Sequence, residues 1–226
     1  MAKRDTKRLI ANEFISRVRA TSLAQVRIAD LIASLDMNRN TFYYHFTSKY
    51  DVAMWVLRTD LADALRNALP ERQLISAPVG NGDTKEVLPY FTHVEVGART
   101  LDSSAFLQSM AGCVLKDPSF YRKLFTIRET EFSNLITALW QPAFYDDISF
   151  MLGGRPMNDS VHALLAFTSV RNMQAVIEYI LEHEREAATF LDEDANPFWG
   201  FINESLRAAI QQHPISRPRT ARPTAR

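Results

Sequence analysis

Residues Met37 to Asp51 (MNRNTFYYHFTSKYD) hold the densest set of groups able to act on a polyanion. Tyr hydroxyls, an imidazole and a lysine ammonium donate hydrogen bonds to phosphate oxygens. Arg, Asn and Thr near a helix N-terminus are the types that read base edges in a major groove. Phe42 and Phe46, four residues apart, share one helical face and are expected to be core, so Arg39, Asn40, Tyr43 and Tyr44 point elsewhere. Residue by residue, an ordinary amphipathic helix with an aromatic core face reads the same way; the neighbouring segments separate the two. His45 has no Cys or second His at ligand spacing, so no metal is expected there. Elsewhere, Cys113 with His93 or His162 would be the candidate nucleophile and base. No glycine-rich phosphate loop, nucleophile elbow or zinc-spaced cluster accompanies them, and neither a catalytic residue nor a cofactor is expected.

The elements that must position this segment are legible around it. Asn38 can cap a helix, and Ser48 with Asp51 has the spacing of a capping box for the next one. Upstream, Val26, Ile28, Leu31, Ile32 and Leu35 form an apolar stripe that breaks at Asp36. Before it, Leu9, Ile10, Phe14, Ile15 and Val18 recur at helical spacing, with Asp5 or Thr6 available as a cap. Three short helices sharing one small core make a helix-turn-helix unit, whose second turn-flanking helix enters the groove.

Ile28-x-Asp30-Leu31, Met37-Asn38-Arg39 and Thr41-Phe42-Tyr43-Tyr44-His45-Phe46-x-Ser48-Lys49 together resemble the DNA-binding domain of the TetR family of transcriptional regulators. The resemblance covers about the first sixty residues. It implies base-edge or nearby phosphate contacts for Arg39, Asn40 and Thr41, and backbone contacts for Tyr43, Tyr44, His45 and Lys49. Two positions depart from the family pattern. Asp36 stands where a turn glycine is typical, and Asp tolerates a left-handed backbone better than most residues. Arg27 stands where Ser or Thr often caps the second helix.

Charge is divided along the chain. Residues 1–50 hold nine Lys/Arg and four Asp/Glu, an excess of five, and residues 214–226 hold Arg217, Arg219, Arg222 and Arg226 with no acid. The formal net charge is zero, so residues 51–213 are nine charges negative. A basic front end concentrates near a polyanion while an acidic body is repelled from it. One cysteine, no apolar signal segment and no run of about twenty apolar residues predict a soluble, cytoplasmic protein without a membrane span.

Beyond Ser48 the punctuation predicts helices and no strands, giving an all-α fold. Residues 1–50 are the helix-turn-helix domain, 48–69 a connecting helix, 70–213 a helical effector-binding and dimerisation domain, and 214–226 a disordered basic tail. Asp83 and Glu86 predict a helix opening toward Leu101; Asp117-Pro118 and Asn196-Pro197 mark two further starts, and Asn158 or Asp159 caps a segment running to about Glu184. That last segment is apolar around most of its circumference, which predicts a partner surface. The expected homodimer seam is Val161, Leu165, Val176, Ile180, Phe198, Ile202 and Leu206, and the resemblance likewise implies pairing of the last two long helices. Phe106, Met110, Phe125, Phe132, Trp140, Phe167 and Met173 are either plain core or the wall of a cavity for a small apolar effector. The resulting expectation is an effector-controlled regulator of repressor type, reading an inverted-repeat site on double-stranded DNA. The alternative is a coactivator-type helical module that binds a partner protein.

Overall fold

Helix α1 (Lys3–Ala20) buries Ile10, Phe14 and Val18 and begins ahead of Asp5 and Thr6, so neither residue caps it. The computed structural model describes residues 3–126, 129–186 and 204–210, with side chains from Thr6 onward. Helices α2 (Ile28–Ser34) and α3 (Arg39–His45) follow at the predicted places, joined by a turn in which Asp36 adopts φ 46°. A left-handed residue is what the turn demands, and Asp meets it at lower steric cost than a branched side chain would. Arg27 makes no side-chain cap on α2, whereas the Asn38 carboxamide accepts from the Thr41 amide at 2.7 Å and closes the start of α3.

The connecting helix α4 (Lys49–Ala68) is capped by Ser48, whose hydroxyl accepts from the Asp51 amide at 3.1 Å. The Asp51 carboxylate reaches back to the Thr47 amide at 2.9 Å, a reciprocal arrangement that satisfies two free donors.

After α4 the all-helical expectation is corrected. Strands β1 (Leu74–Val79) and β2 (Glu86–Thr92) pair antiparallel, and β3 (Glu95–Gly97) pairs with β4 (Thr100–Leu101). The segment opened by Asp83 is therefore a hairpin rather than a helix. Pro89 would cost a hydrogen bond inside the expected helix, and Val87, Tyr90, Phe91 and Thr92 favour a pleated surface. Pro89 falls beside the register shift between Ile75 and Ser76, where a missing N–H is tolerated. The turn relies on Gly80 at φ 94° and Gly82 at φ 47°.

Helices α5 (Ser104–Leu115), α6 (Pro118–Leu124), α7 (Thr130–Leu152) and α8 (Asp159–Glu182) complete the body, and residues 204–210 are helical. Asp117 caps α6 ahead of Pro118, Asn158 caps α8, and Gly153 ends α7 in the left-handed region. Phe91, Phe106, Phe144 and Trp140 form an aromatic centre beneath the hairpin. Body and front end also meet along α1 and the loop after it: the Lys123 ammonium donates to the Thr21 carbonyl at 2.8 Å, the Glu129 carboxylate accepts from the Ala24 amide at 3.1 Å, and Arg19 pairs with Asp117. No described helix is long and apolar enough to cross a membrane. Asn196-Pro197, Phe198, Ile202 and residues 214–226 lie outside the described residues.

Candidate nucleic-acid interface

Helix α3 turns Phe42 fully inward, against Tyr43 and Phe46, where α3 packs on α2. That orientation leaves Arg39 and Asn40 exposed at the N-terminal end, with Tyr44 open farther along. The Arg39 guanidinium lies 5.4 Å from the Tyr43 ring centroid, which stiffens both side chains on one face. The Thr41 hydroxyl donates to the Asn38 carboxamide at 3.0 Å, so part of its hydrogen-bonding capacity serves the cap.

Two expected phosphate contacts have other work. His45 is only 3% exposed, its ring edge-on to Tyr44, so its side chain belongs to the core. The Lys49 ammonium donates to the carbonyls of Leu23, Ala24 and Val26 at 2.7, 2.9 and 3.3 Å. An ammonium has three protons, and here all three fix the loop between α1 and α2. The remaining polar face is therefore Arg39, Asn40 and Tyr44, which are exposed, with Thr41 and Tyr43 half-buried beside them.

The expected effector residues divide. Phe106, Met110 and Trp140 are sealed in the core, and the Trp140 indole donates to the Tyr90 carbonyl at 2.8 Å. Met173 lines a cavity of about 230 Å³ together with Leu107, Phe144, Leu165 and Leu206, and Asn172 and Ser169 supply polar edges. Phe125, Phe132 and Phe167 line a separate, more polar groove of about 470 Å³ that also contains Arg171 and Glu178. Which of these residues border space depends on how the helices pack, and sequence spacing could not separate them from the core.

The expected seam is also redistributed. Ile180 is fully buried within its own subunit, and Leu165, Val176 and Leu206 are half-buried against the same core. Val161 is exposed, and with it Leu164, Phe167 and Tyr179 make an open apolar stripe along α8, where Leu164 is 60% exposed. A helix that reads as apolar on all sides thus covers one face and leaves another open.

The residues considered for catalysis have separate surroundings. Burial pushes the Cys113 thiol up to about 12; its sulfur contacts the Tyr121 hydroxyl, which donates to Asp60. Such a thiol stays protonated and unreactive. His93 pairs with Asp147 at 3.0 Å, and burial pushes that carboxyl up to about 6 against the opposing pull of His93. His162 stacks on Tyr145 and donates through Nε2 to the Tyr145 carbonyl at 3.0 Å. Among the described residues, no group of three or more His, Cys, Asp or Glu could hold a metal ion.

No family model and no curated protein matches the chain. Two chains of solved structures match. One of them, the dihydroxyacetone kinase operon activator DhaS, is similar at 16% identity over 91% of this chain and 96% of that chain, with a TM-score of 0.48.

Proposed function

We propose that this protein is a sequence-specific DNA-binding transcriptional regulator of the TetR type, acting as a homodimer in the cytoplasm under control of a small apolar ligand. The observation that carries this reading is the face of α3: a capped helix after a left-handed turn, presenting Arg39, Asn40, Thr41, Tyr43 and Tyr44 while Phe42 anchors it. Arg and Asn at the first helical positions are suited to bidentate base contacts, and the tyrosines to phosphates. Residues 1–50 form the reading head, α4 the connection, and residues 70–213 the sensing and dimerising body. The cavity beside Met173 and Phe144 is the candidate ligand site, apolar with a few polar groups, as small-molecule sites generally are. Its effect on transcription follows the repressor expectation: a ligand that favours a different separation of the two reading heads lowers operator affinity.

Selection of duplexes from a random pool tests the reading directly. The wild type is expected to enrich an inverted repeat, and Arg39→Ala or Asn40→Ala to lose discrimination worth about 1–3 kcal/mol at the contacted base pair. Enrichment of no sequence would reject DNA reading altogether; unchanged stringency in both variants would move base recognition elsewhere.

Lys49 gives a second expectation from its carbonyl contacts. Lys49→Ala removes charge-assisted hydrogen bonds and should destabilise the front end by about 2 kcal/mol, lowering Tm by roughly 4–8 °C. The log–log salt slope of duplex binding should stay at its wild-type value, since losing a phosphate contact flattens it by roughly one unit. Thermal unfolding and titration at several salt concentrations check both parts. A flattened slope with unchanged Tm would return Lys49 to the phosphate contacts.

A further inference from the structure

The groups that end the recognition helix come from the body. A short helix leaves its last carbonyls without intrahelical partners. In α3 the His45 carbonyl accepts from the Asn81 amide at 3.2 Å, and the Tyr43 carbonyl from the Asn81 carboxamide at 2.8 Å. The Thr84 hydroxyl approaches the Tyr44 carbonyl at 3.5 Å. Asn81 and Thr84 stand in the turn between β1 and β2. Lys7 of α1, 1% exposed, ties down the same turn by donating to the Thr84 carbonyl and pairing with Glu86 at 3.0 Å. A Cβ on Gly80 would come within 2.7 Å of the Lys7 ammonium, which lies close against the turn backbone.

The hairpin is held at two further points. Midway, Arg58 of α4 donates to the Ala77 carbonyl of β1 at 2.9 Å and the Leu88 carbonyl of β2 at 2.7 Å, gripping both strands. At the far end, the Phe91 ring packs 5.0 Å from Phe144 and 4.8 Å from Phe106, centroid to centroid. Phe144 belongs to α7 and lines the cavity of about 230 Å³.

We propose that the β1–β2 hairpin is a lever through which the cavity wall sets the recognition helix, with Asn81 as the positioning residue at its tip and Phe91 at its loaded end. Its consequence for DNA rests on the reading given above; its mechanics do not. A molecule that displaces Phe144 must break the Phe91 contact or carry the hairpin with it. Because Arg58 holds the strands together, motion at Phe91 reaches the tip. Withdrawal of Asn81 strips the Tyr43 and His45 carbonyls of their donors, and α3 frays from its C-terminal end. A closely packed contact of this kind couples two sites by switching between discrete arrangements rather than deforming continuously.

Hydrogen exchange on the full chain reads this without DNA. Asn81→Ala should speed exchange in the peptide covering α3 by about fivefold, the effect of one lost hydrogen bond. Phe91→Leu should speed the same peptide by at least about twofold and add nothing in the Asn81→Ala background, as expected of two sites on one path. Exchange in α6 should keep its wild-type rate in both, which global destabilisation would not allow. Should Phe91→Leu fail to fold, Phe144→Leu tests the same contact from the other side. Unchanged α3 exchange in the Phe91 or Phe144 variant, or full additivity with Asn81→Ala, overturns the lever. Operator affinity should follow the same non-additive pattern. A wild type that retards no duplex overturns the DNA-binding reading alone, and exchange still decides the lever.

Discussion

Leu164→Glu is expected to give monomers that bind the operator about 10²–10⁴-fold more weakly, the advantage lost when two linked sites become independent. Leu164 is 60% exposed on α8, so the substitution removes little packing within the subunit, and helical circular dichroism should be retained. Val161, Phe167 and Tyr179 extend the same open stripe, with Leu135 of α7 also exposed. Exposed apolar side chains gathered on one helix in this way are expected of an interaction surface. In a two-fold dimer each substitution acts twice, so one glutamate per chain places two carboxylates in the seam. Under the proposed function dimerisation matters because two recognition helices must stand about 34–36 Å apart to enter successive major grooves. Light scattering together with duplex retardation checks the expectation. A wild type that is monomeric at micromolar concentration yet tightly bound to a palindromic site would sink both the seam and the proposed route of regulation. Ile180→Glu is unsuitable for this test: Ile180 is fully buried, and the variant would report core disruption.

Arg58→Leu is the second large effect, an expected loss of about 2–4 kcal/mol, equivalent to roughly 4–16 °C in Tm. Arg58 is 1% exposed, and burial lowers its pKa to about 10, so it remains charged at neutral pH. It donates to the Ala77 and Leu88 carbonyls and lies over the Tyr90 ring, whose centroid is 5.0 Å from the guanidinium carbon. Two opposing effects decide the outcome. Removing the guanidinium relieves the penalty of keeping a cation dry, which alone can make such replacements neutral. It also leaves two carbonyls without their donor, each costing about 1–3 kcal/mol. Leucine covers less of the space and restores neither hydrogen bond, so the orphaned carbonyls prevail. Arg58→Lys should recover only part of the loss, because both bonds come from the single Nη2 atom, which a side chain one atom shorter must stretch to match, and the guanidinium contact with the Tyr90 ring is lost. Denaturation of the three proteins measures this; an Arg58→Leu variant as stable as wild type would show the grip on the hairpin to be dispensable. Under the lever proposal the same variant also loosens α3.

The front end was legible in the sequence because its determinants are local. Asn38 and Ser48 cap helices through neighbours three residues away, Asp36 adopts the left-handed turn conformation, and the Phe42–Phe46 spacing places the core side of α3. These effects act within one or two turns of chain and need no knowledge of what lies elsewhere. The hairpin was misread for the same reason. Asp83 and Glu86 have capping-box spacing, but Glu86 is instead held by Lys7 and by the Trp55 indole, partners far away in the chain. His45 and Lys49 likewise carry the residue types of phosphate contacts, and only packing shows that one is buried and the other surrounded by carbonyls. On α8, periodicity identified an apolar helix, whereas the packing of the neighbouring helices decided that Ile180 is buried and Leu164 exposed. The sequence by itself determined the local elements and the chemical character of α3. Tertiary structure alone decided which of its polar groups remain open, and that the end of α3 is held by a hairpin from the body. Burial and long-range hydrogen bonds depend on which distant surfaces meet, and no local spacing encodes that.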